Sequence, residues 1–294
     1  MSAMRSFVVF RRAADRLDVE DFGGFQNRNA SVIQLAQPAF AVYRRLIPEG
    51  DWAFGVYTGD DVARVADVIH NLSFPVFAFA RSKRVPWVLS FPCFSFHAWV
   101  ESGIRNYQDC VHGILMASTA PPVETRCFWI GNTGTHRLRE IIYMNSLNHQ
   151  DIADFRPMQW QNAAGEDGRL LASQYVSLAD HCAHPMLLDI RGAGYSGRRK
   201  FLLHSGRPVL VVDGEFTEYW AERLVPWVHY VPVSDDGRSL FDVIRHLTAH
   251  PELARAIGRQ GQHYALDHVH LAGALKRIVE LIDYAATAMT TRSP

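Results

Sequence analysis

A glycine-rich turn is the pattern in the sequence with the clearest chemical meaning. Residues 192–197 read Gly-Ala-Gly-Tyr-Ser-Gly and match the G-x-G-x-x-G pattern of phosphate-binding turns. The turn follows a predicted strand at 186–191 and precedes a predicted helix at 198–204 that Gly206 would end. Glycines let the backbone approach a ligand closely, and the N–H groups of such a turn can bind an anion. The pattern therefore predicts a phosphate site.

Three cations directly after the turn strengthen this prediction. Arg198, Arg199 and Lys200 follow Gly197 without interruption. Positive charges beside a helix start are unfavourable, because the helix dipole is already positive there. A bound diphosphate would neutralise them, and guanidinium groups hold phosphate in a bidentate way. The alternative interpretation is a glycine-rich surface turn flanked by solvated arginines.

An acidic residue further along leaves a second nucleotide ligand open. Asp213 ends the next predicted strand, about 20 residues after Gly192, where dinucleotide-binding folds place the acid that holds the ribose. An NAD(P)-dependent oxidoreductase is therefore an alternative. The shortness of the predicted helix at 198–204 and the excess of positive charge argue against it.

The histidines and aspartates of the sequence do not predict a metal site. His181 with His184 and His268 with His270 lack the paired spacing of a zinc site. If a nucleotide diphosphate binds, we expect its charge to be met by Arg, Lys and backbone amides instead of a metal.

The composition is that of an ordinary globular protein. The 294 residues are 48% hydrophobic, and 30 Lys and Arg balance 30 Asp and Glu. Zero formal charge argues against binding to nucleic acid, and the sequence has no apolar run of membrane-spanning length. The N-terminal apolar stretch is too short for a secretory signal. We therefore expect a cytoplasmic, bacterial protein with at most peripheral membrane association.

Strands that alternate with helices predict an α/β fold with a mostly parallel sheet. The predicted strands lie at residues 51–60, 74–80, 126–131, 186–191, 208–213 and 227–233. Predicted helices cover residues 61–71, 103–118, 137–147 and 272–289, and two more begin at Ser239, with a capping-box pattern, and at Pro251. Residues 161–169 are predicted to form a loop. The Pro121–Pro122 pair predicts two domains, 1–121 and 122–294, with the last helix free to cross back.

Residues 186–265 resemble the donor-binding half of glycosyltransferase family 90. The resemblance is carried by the glycine turn with its flanking strand and helix, by Glu-Phe-Thr-Glu-Tyr-Trp at 215–220 and by Leu-Val-Pro-Trp-Val-His-Tyr-Val-Pro-Val at 224–233. Residues 74–81 and 128–134 resemble two further blocks of the family.

The resemblance implies a GT-B architecture, in which two Rossmann-like parallel-sheet units face a cleft that binds a nucleotide sugar. It also implies an inverting, metal-independent glycosyltransferase that needs no cofactor and takes a UDP-sugar as its donor substrate. The acceptor implied is a hydroxyl of a cell-surface glycan precursor, such as a lipid-linked saccharide of lipopolysaccharide or capsule.

The resemblance further assigns roles to individual residues. Asp60 is the expected catalytic base and Asp61 the alternative, while a turn or helix cap is the structural interpretation of Asp60. Glu218 is expected either to hold the ribose hydroxyls or to lie on a solvated helix face. The remaining donor-binding residues expected are Asn132, Arg137 or Arg139, Ala193, Gly194, Tyr195, Ser196, Gly197, Arg198 and Lys200.

One departure from the family pattern bears on activity. The family usually has Arg in its aromatic-Arg-Gly strand, where this chain has Ile130. Loss of that guanidinium leaves a third interpretation, an inactive relative that binds a nucleotide sugar. Arg137 or Arg139 could compensate for the missing group.

Overall fold

The chain folds into two compact units. The computed structural model describes residues 5–13, 16–164, 170–212 and 214–290. The first unit comprises Met1–Trp99, Glu215–Glu222 and His270–Pro294, and the second comprises Val100–Gly214 and Arg223–Val269. The Pro121–Pro122 pair, at which the sequence predicts a domain boundary, lies inside the second unit, and the last helix belongs to the first.

The strands are short and mostly buried. In chain order they are β1 (Phe7–Ala13), β2 (Arg16–Asp21), β3 (Trp52–Tyr57), β4 (Val76–Ala78), β5 (Arg81–Ser82), β6 (Cys127–Asn132), β7 (Ala153–Met158), β8 (Trp160–Ala164), β9 (Leu170–Ala172), β10 (Met186–Ile190), β11 (Val209–Val212), β12 (Phe216–Thr217) and β13 (Val231–Val233).

The α-helices range from one turn to more than five turns. They are α1 (Gln26–Val42), α2 (Ala66–His70), α3 (Tyr107–Ser118), α4 (Arg137–Ser146), α5 (Arg199–Leu203), α6 (Leu240–Ala249), α7 (Pro251–His268) and α8 (Leu271–Thr290). Within the described ranges, no helix combines the length and the hydropathy that a bilayer crossing requires.

The first unit is built on a mixed four-stranded sheet of order β2-β1-β3-β4. β1 runs antiparallel to β2 and β3, and only the β3–β4 pair of this sheet is parallel. The sequence predicts a parallel sheet for this unit, but the observed sheet is mixed. The difference comes from the β1–β2 hairpin, which the sequence pattern does not predict. β2 is exposed along its whole length. An edge strand of that kind need not alternate apolar and polar residues, so its pattern carries little signal.

β3 forms the centre of the first unit and is buried on both faces. On one face Trp52 and Phe54 stack with neighbouring aromatic rings, among them Phe10 and Phe40. α1 and α8 pack nearby. α1 was also not predicted, although its buried Val32, Leu35, Ala36 and Ala39 have helical spacing. The helix continues past Pro38, which interrupts the pattern that the sequence presents.

The second unit contains a five-stranded sheet of order β13-β11-β10-β6-β7, and every pair in it is parallel. This sheet confirms the α/β class. The chain leaves β6 toward β7 on one side and leaves β10 toward β11 on the other, so the strand order reverses between β6 and β10. In open α/β sheets, ligands bind at the carboxyl ends of the strands beside such a reversal.

Several local predictions require correction. The predicted loop at 161–169 is strand up to Ala164, and residues 165–169 lie outside the described residues. The predicted strand at 227–233 begins only at Val231, because Trp227, with φ 63°, turns the chain so that its N–H donates to Tyr230 O. Ser239 makes no side-chain cap, since its Oγ accepts the N–H of Ser234 instead. Asp213 lies outside the described residues.

Candidate active site

Two turns meet at the reversal point of the parallel sheet. The turn Thr133–Thr135 follows β6, and the glycine turn at 192–197 follows β10, the neighbouring strand. Asn132 ends β6, and its Oδ1 accepts the N–H of Gly134 at 2.9 Å, which closes the first turn. The structure thus brings together two segments that the sequence assigns to the donor site.

A buried carboxylate holds the glycine turn in place. Asp189, inside β10, is fully buried. Its Oδ1 accepts the hydroxyl of Ser196, and its Oδ2 accepts Nε–H of Arg199 at 2.8 Å. Sequence reasoning missed Asp189, although an acidic residue inside the apolar run Leu-Leu-Asp-Ile is a signal that could have found it. The side chain of Ser196 therefore stabilises the turn through its hydrogen bond to Asp189.

The three cations after the turn point to three different partners. Arg198 donates through Nη1 to Ile130 O, Arg199 pairs with Asp189, and Lys200 donates through Nζ to Gly197 O at 3.1 Å. Lys200 is fully buried. The solvated arginines of the alternative interpretation are therefore not found here, and Arg199 and Lys200 support the turn itself.

Arg139 joins the carboxyl ends of β6 and β10. Its Nε donates to Arg191 O at 2.8 Å and its Nη2 to Ile190 O at 2.7 Å, both at the end of β10. Its Nη1 donates to Thr135 Oγ1 at 2.9 Å and lies 3.3 Å from Asn132 O. One guanidinium thereby binds four oxygen atoms at the carboxyl ends of the two strands and in the turn after β6.

A second guanidinium lies close to Arg139 and has unused hydrogen-bonding capacity. Nη2 of Arg198 is buried and makes no hydrogen bond to any described residue. Burial lowers the pKa of Arg139 to about 9, and the positive charge of Arg198 contributes to this shift. Burial also lowers the pKa of Arg198. An anion bound here would offset both the desolvation and the repulsion of the two cations.

Arg191 directly follows β10 and was not predicted as a site residue from the sequence. A Cβ atom placed on Gly214 would lie 2.9 Å from Cδ of Arg191, so the Arg191 side chain extends from β10 toward the end of β11. A Cβ atom on Gly192 would lie 3.6 Å from Nη2 of Arg139. The sequence feature that could have identified Arg191 is its position at the end of a predicted strand.

The other predicted donor residues differ in their exposure. Ala193 is exposed, Gly194 is buried, and Tyr195 and Gly197 are partly buried. Arg137 is exposed at the first turn of α4. Of the two arginines, it is therefore Arg139 that lies between the carboxyl ends of β6 and β10.

Asp60 and Asp61 follow β3 in the first unit and have different environments. Asp60 Oδ1 lies 2.9 Å from Nη1 of Arg28, and its side chain keeps 37% of its surface exposed. The Asp61 side chain is 9% exposed, and its Oδ1 accepts the N–H of Ala63 at 3.1 Å, which begins the turn Val62–Val65. Asp61 also pairs with Arg84 at 2.9 Å. The capping role that the sequence left open for Asp60 therefore belongs to Asp61.

Glu218 is buried, which corrects the expectation of a solvated helix face. It belongs to the Glu215–Glu222 segment of the first unit and precedes the short turn Tyr219–Arg223. Its role toward a ribose stays a prediction. Within the described residues, no three His, Cys, Asp or Glu side chains converge as a metal site requires.

A parallel α/β sheet with guanidinium groups at its reversal point defines a class of proteins that bind nucleotides and other phosphate-containing ligands. Comparison with known protein families identifies one family within this class. Residues 55–292 match the sequence profile of glycosyl transferase family 90, and the chain belongs to that family. The resemblance drawn from the sequence motifs is thereby confirmed.

Similar curated proteins come from animals. Protein O-glucosyltransferase 1 of Rattus norvegicus is 24% identical over 207 residues, which cover 69% of this chain and 50% of that protein. The O-glucosyltransferase rumi of Drosophila melanogaster is 24% identical over 229 residues, 71% of this chain and 56% of that protein. The chain spans about half the length of these relatives. A solved sucrose-phosphate synthase from Thermosynechococcus elongatus covers 60% of this chain and 42% of its own, at 13% identity and a TM-score of 0.37.

Proposed function

We propose that this protein is an inverting glycosyltransferase that transfers a sugar from a UDP-sugar to an acceptor hydroxyl without a metal. The observation that carries the proposal is the buried Nη2 of Arg198, which has no hydrogen-bond partner among the described residues and lies beside Arg139 at the reversal point of the sheet. Membership of the family and the names of its animal relatives support sugar transfer as the reaction.

Arg198 and Arg139 would stabilise the departing nucleoside diphosphate. As the bond from the anomeric carbon to the diphosphate breaks, negative charge grows on the phosphate oxygens. Arg198 and Arg139 are already oriented by Ile130 O and by the ends of β6 and β10, so little reorganisation is needed. One such preorganised donor contributes about 3 kcal/mol to transition-state stabilisation.

Asp60 would supply the base. Asp60 would accept the proton of the acceptor hydroxyl while that oxygen forms its bond to the anomeric carbon. Its partial exposure suits contact with a substrate, whereas the carboxylate of Asp61 is occupied by the Ala63 N–H and by Arg84.

The position of Ile130 does not argue for an inactive relative. The Ile130 side chain is buried, while its carbonyl oxygen orients Arg198. The guanidinium absent from position 130 is replaced, in this proposal, by those of Arg198 and Arg139. The proposed acceptor is a lipopolysaccharide or capsule precursor at the cytoplasmic face of the membrane, as expected from the sequence.

Binding and turnover of nucleotide sugars test the proposal. UDP release is measured with UDP-glucose, UDP-galactose and UDP-xylose, with alkyl glycosides as acceptors. Asp60→Asn is expected to lower kcat about a hundredfold to ten-thousandfold, the usual contribution of a general base, and to retain UDP binding. Arg198→Met is expected to raise the Kd for UDP about tenfold to a hundredfold, since a charge-assisted contact of about 1.5–3 kcal/mol is lost.

Arg238→Met is the matched control, because Arg238 is almost fully exposed and pairs only with Asp236 among described residues. It is expected to leave UDP binding unchanged. Tight binding of NADH without binding of UDP would overturn the proposal in favour of an oxidoreductase. UDP binding without turnover of any of the three donors would favour the inactive relative.

A further inference from the structure

Arg28 lies in the part of the chain that precedes the region matched by the family, residues 55–292. We propose that Arg28 is a positioning residue for the catalytic carboxylate of Asp60. This inference rests on the proposed function, in which Asp60 is the base. It gives the N-terminal segment a part in the reaction, since α1 would contribute to the catalytic geometry.

The contact between the two side chains is direct and specific. Nη1 of Arg28 lies 2.9 Å from Asp60 Oδ1 and donates also to Thr58 O at 3.2 Å. The two hydrogens of this one nitrogen thus bind the carboxylate and the backbone just before it. Asp60 Oδ2 makes no hydrogen bond to any described residue, so one oxygen is fixed and the other is available to accept a proton.

Two aromatic rings fix the plane of the guanidinium. The Arg28 Cζ atom lies 4.2 Å from the ring centre of Phe25 and 5.1 Å from that of Phe94. Such contacts are favourable for a cation and restrict rotation of its side chain. The Arg28 side chain is 18% exposed, so water competes little with its contacts.

Buried polar contacts hold the helix that carries Arg28. The neighbouring Asn29 is fully buried, and its Nδ2 donates to Asp21 Oδ1 and to Gly23 O. Its Oδ1 lies 2.6 Å from the hydroxyl of Thr58, the same residue whose carbonyl binds Arg28. The start of α1 and the end of β3 are therefore locked together, and Arg28 and Asp60 are kept in register.

The other cations near this loop serve a different carboxylate. Arg84 and Arg64 pair with Asp61, at 2.9 Å and 3.6 Å. Burial raises the pKa of Tyr57, and the negative charges of Asp60 and Asp61 raise it further, so a proton stays on that phenol. Arg28 is thus the cation that the described residues place against Asp60.

The test measures turnover of UDP-glucose, or of whichever of the three UDP-sugars gives the highest rate with wild type. Arg28→Met is expected to lower kcat about tenfold to a hundredfold, as displacement of a reacting group by about 1 Å can do. KM for the donor and Kd for UDP are expected to stay within about twofold, because the donor contacts lie elsewhere. Arg28→Lys keeps the charge and is expected to recover part of the lost rate. Arg64→Met, which removes an exposed cation of the same loop, is expected to leave kcat unchanged.

A double-mutant cycle separates positioning from a structural role. In the Asp60→Asn background, Arg28→Met is expected to cause little further loss, because the group that it positions is already gone. Full additivity of the two losses, or wild-type kcat in Arg28→Met while Asp60→Asn is strongly impaired, would overturn this inference and leave the proposed function intact. If Arg28→Met does not fold, the other two variants test the inference. It would be overturned if Arg28→Lys kept the wild-type kcat while Arg64→Met lowered kcat. A wild-type protein that turns over no UDP-sugar would overturn both.

Discussion

The side chains of Asp60 and Asp61 diverge into different environments although the residues are consecutive. Asp60 is 37% exposed and contacts Arg28, whereas Asp61 is 9% exposed and contacts Ala63 and Arg84. The two side chains have different partners after β3, so one carboxylate can serve folding while the other stays accessible. The two substitutions are therefore expected to have different consequences.

Replacement of Asp61 should destabilise the fold more than replacement of Asp60. Asp61→Ala removes the cap of the Val62–Val65 turn and leaves Arg84 with one carboxylate fewer. We expect a loss of about 1–2 kcal/mol in the free energy of unfolding, measured by urea denaturation. Asp60→Asn is expected to change that free energy by less than about 1 kcal/mol, since its ion pair is partly exposed. The reverse order of the two losses would contradict this assignment.

Acid should weaken the second unit through His181. Burial lowers the pKa of His181 to about 3, and the charge of Arg198 contributes. Its Nδ1 lies 2.7 Å from Ser177 O, so the neutral ring donates there. The unfolded chain binds a proton near pH 6.5, whereas the folded chain does not. Stability is therefore complete above pH 6.5 and is lost as the pH falls toward 3.

Unfolding free energies of wild type and His181→Gln at pH 7.5 and 5.5 test this prediction. Wild type is expected to lose about 1 kcal/mol more than the variant over this interval. His112→Gln, at an exposed position of α3, is the control and is expected to follow wild type. Equal pH dependence of wild type and His181→Gln would show that this imidazole is not held neutral by the fold.

α7 approaches the turn at Gly206 so closely that a side chain at Gly258 should destabilise the fold. A Cβ atom on Gly258 would lie 2.2 Å from Gly206 O and 2.9 Å from the carbonyl carbon of Arg207. These are backbone atoms that cannot rotate away. Gly258→Ala is therefore expected to lower the free energy of unfolding by about 1–3 kcal/mol, although Ala favours helix. Thermal or urea denaturation measures the change.

Gly113 provides the matched control for this substitution. It also lies inside a helix, α3, but a Cβ atom there would meet nothing within 4 Å. Gly113→Ala is expected to raise the free energy of unfolding by about 0.5–1 kcal/mol, because the unfolded chain loses conformational freedom. A stabilising effect of Gly258→Ala would show that α7 can move away from the turn.

The local patterns of the sequence predicted most of the second unit. Strands β6, β10 and β11 are short apolar runs bounded by turn residues, and each was predicted within two residues of its observed ends. In the first unit, the strand containing Trp52 was predicted, but the β1–β2 hairpin and α1 were not. An edge strand and a helix interrupted by Pro38 have weak periodicity, since their form depends on what packs against them.

The candidate site was likewise predicted only in part. The glycine turn and its cations are contiguous in the chain, so the sequence could locate them. The partners of those cations could not be predicted, because Arg198 reaches Ile130 O, 68 positions away, and Arg199 reaches the buried Asp189. Which cations support the turn and which keep a free N–H depends on burial, a property of the folded chain.

The sequence by itself determined the α/β class, the family and the position of the glycine turn, because all three are encoded in short segments of the chain. Tertiary structure decided the role of each charge. It set Arg139 across two strand ends, gave Asp61 the cap and left Asp60 facing Arg28, since desolvation and hydrogen-bond geometry are fixed only when distant segments pack.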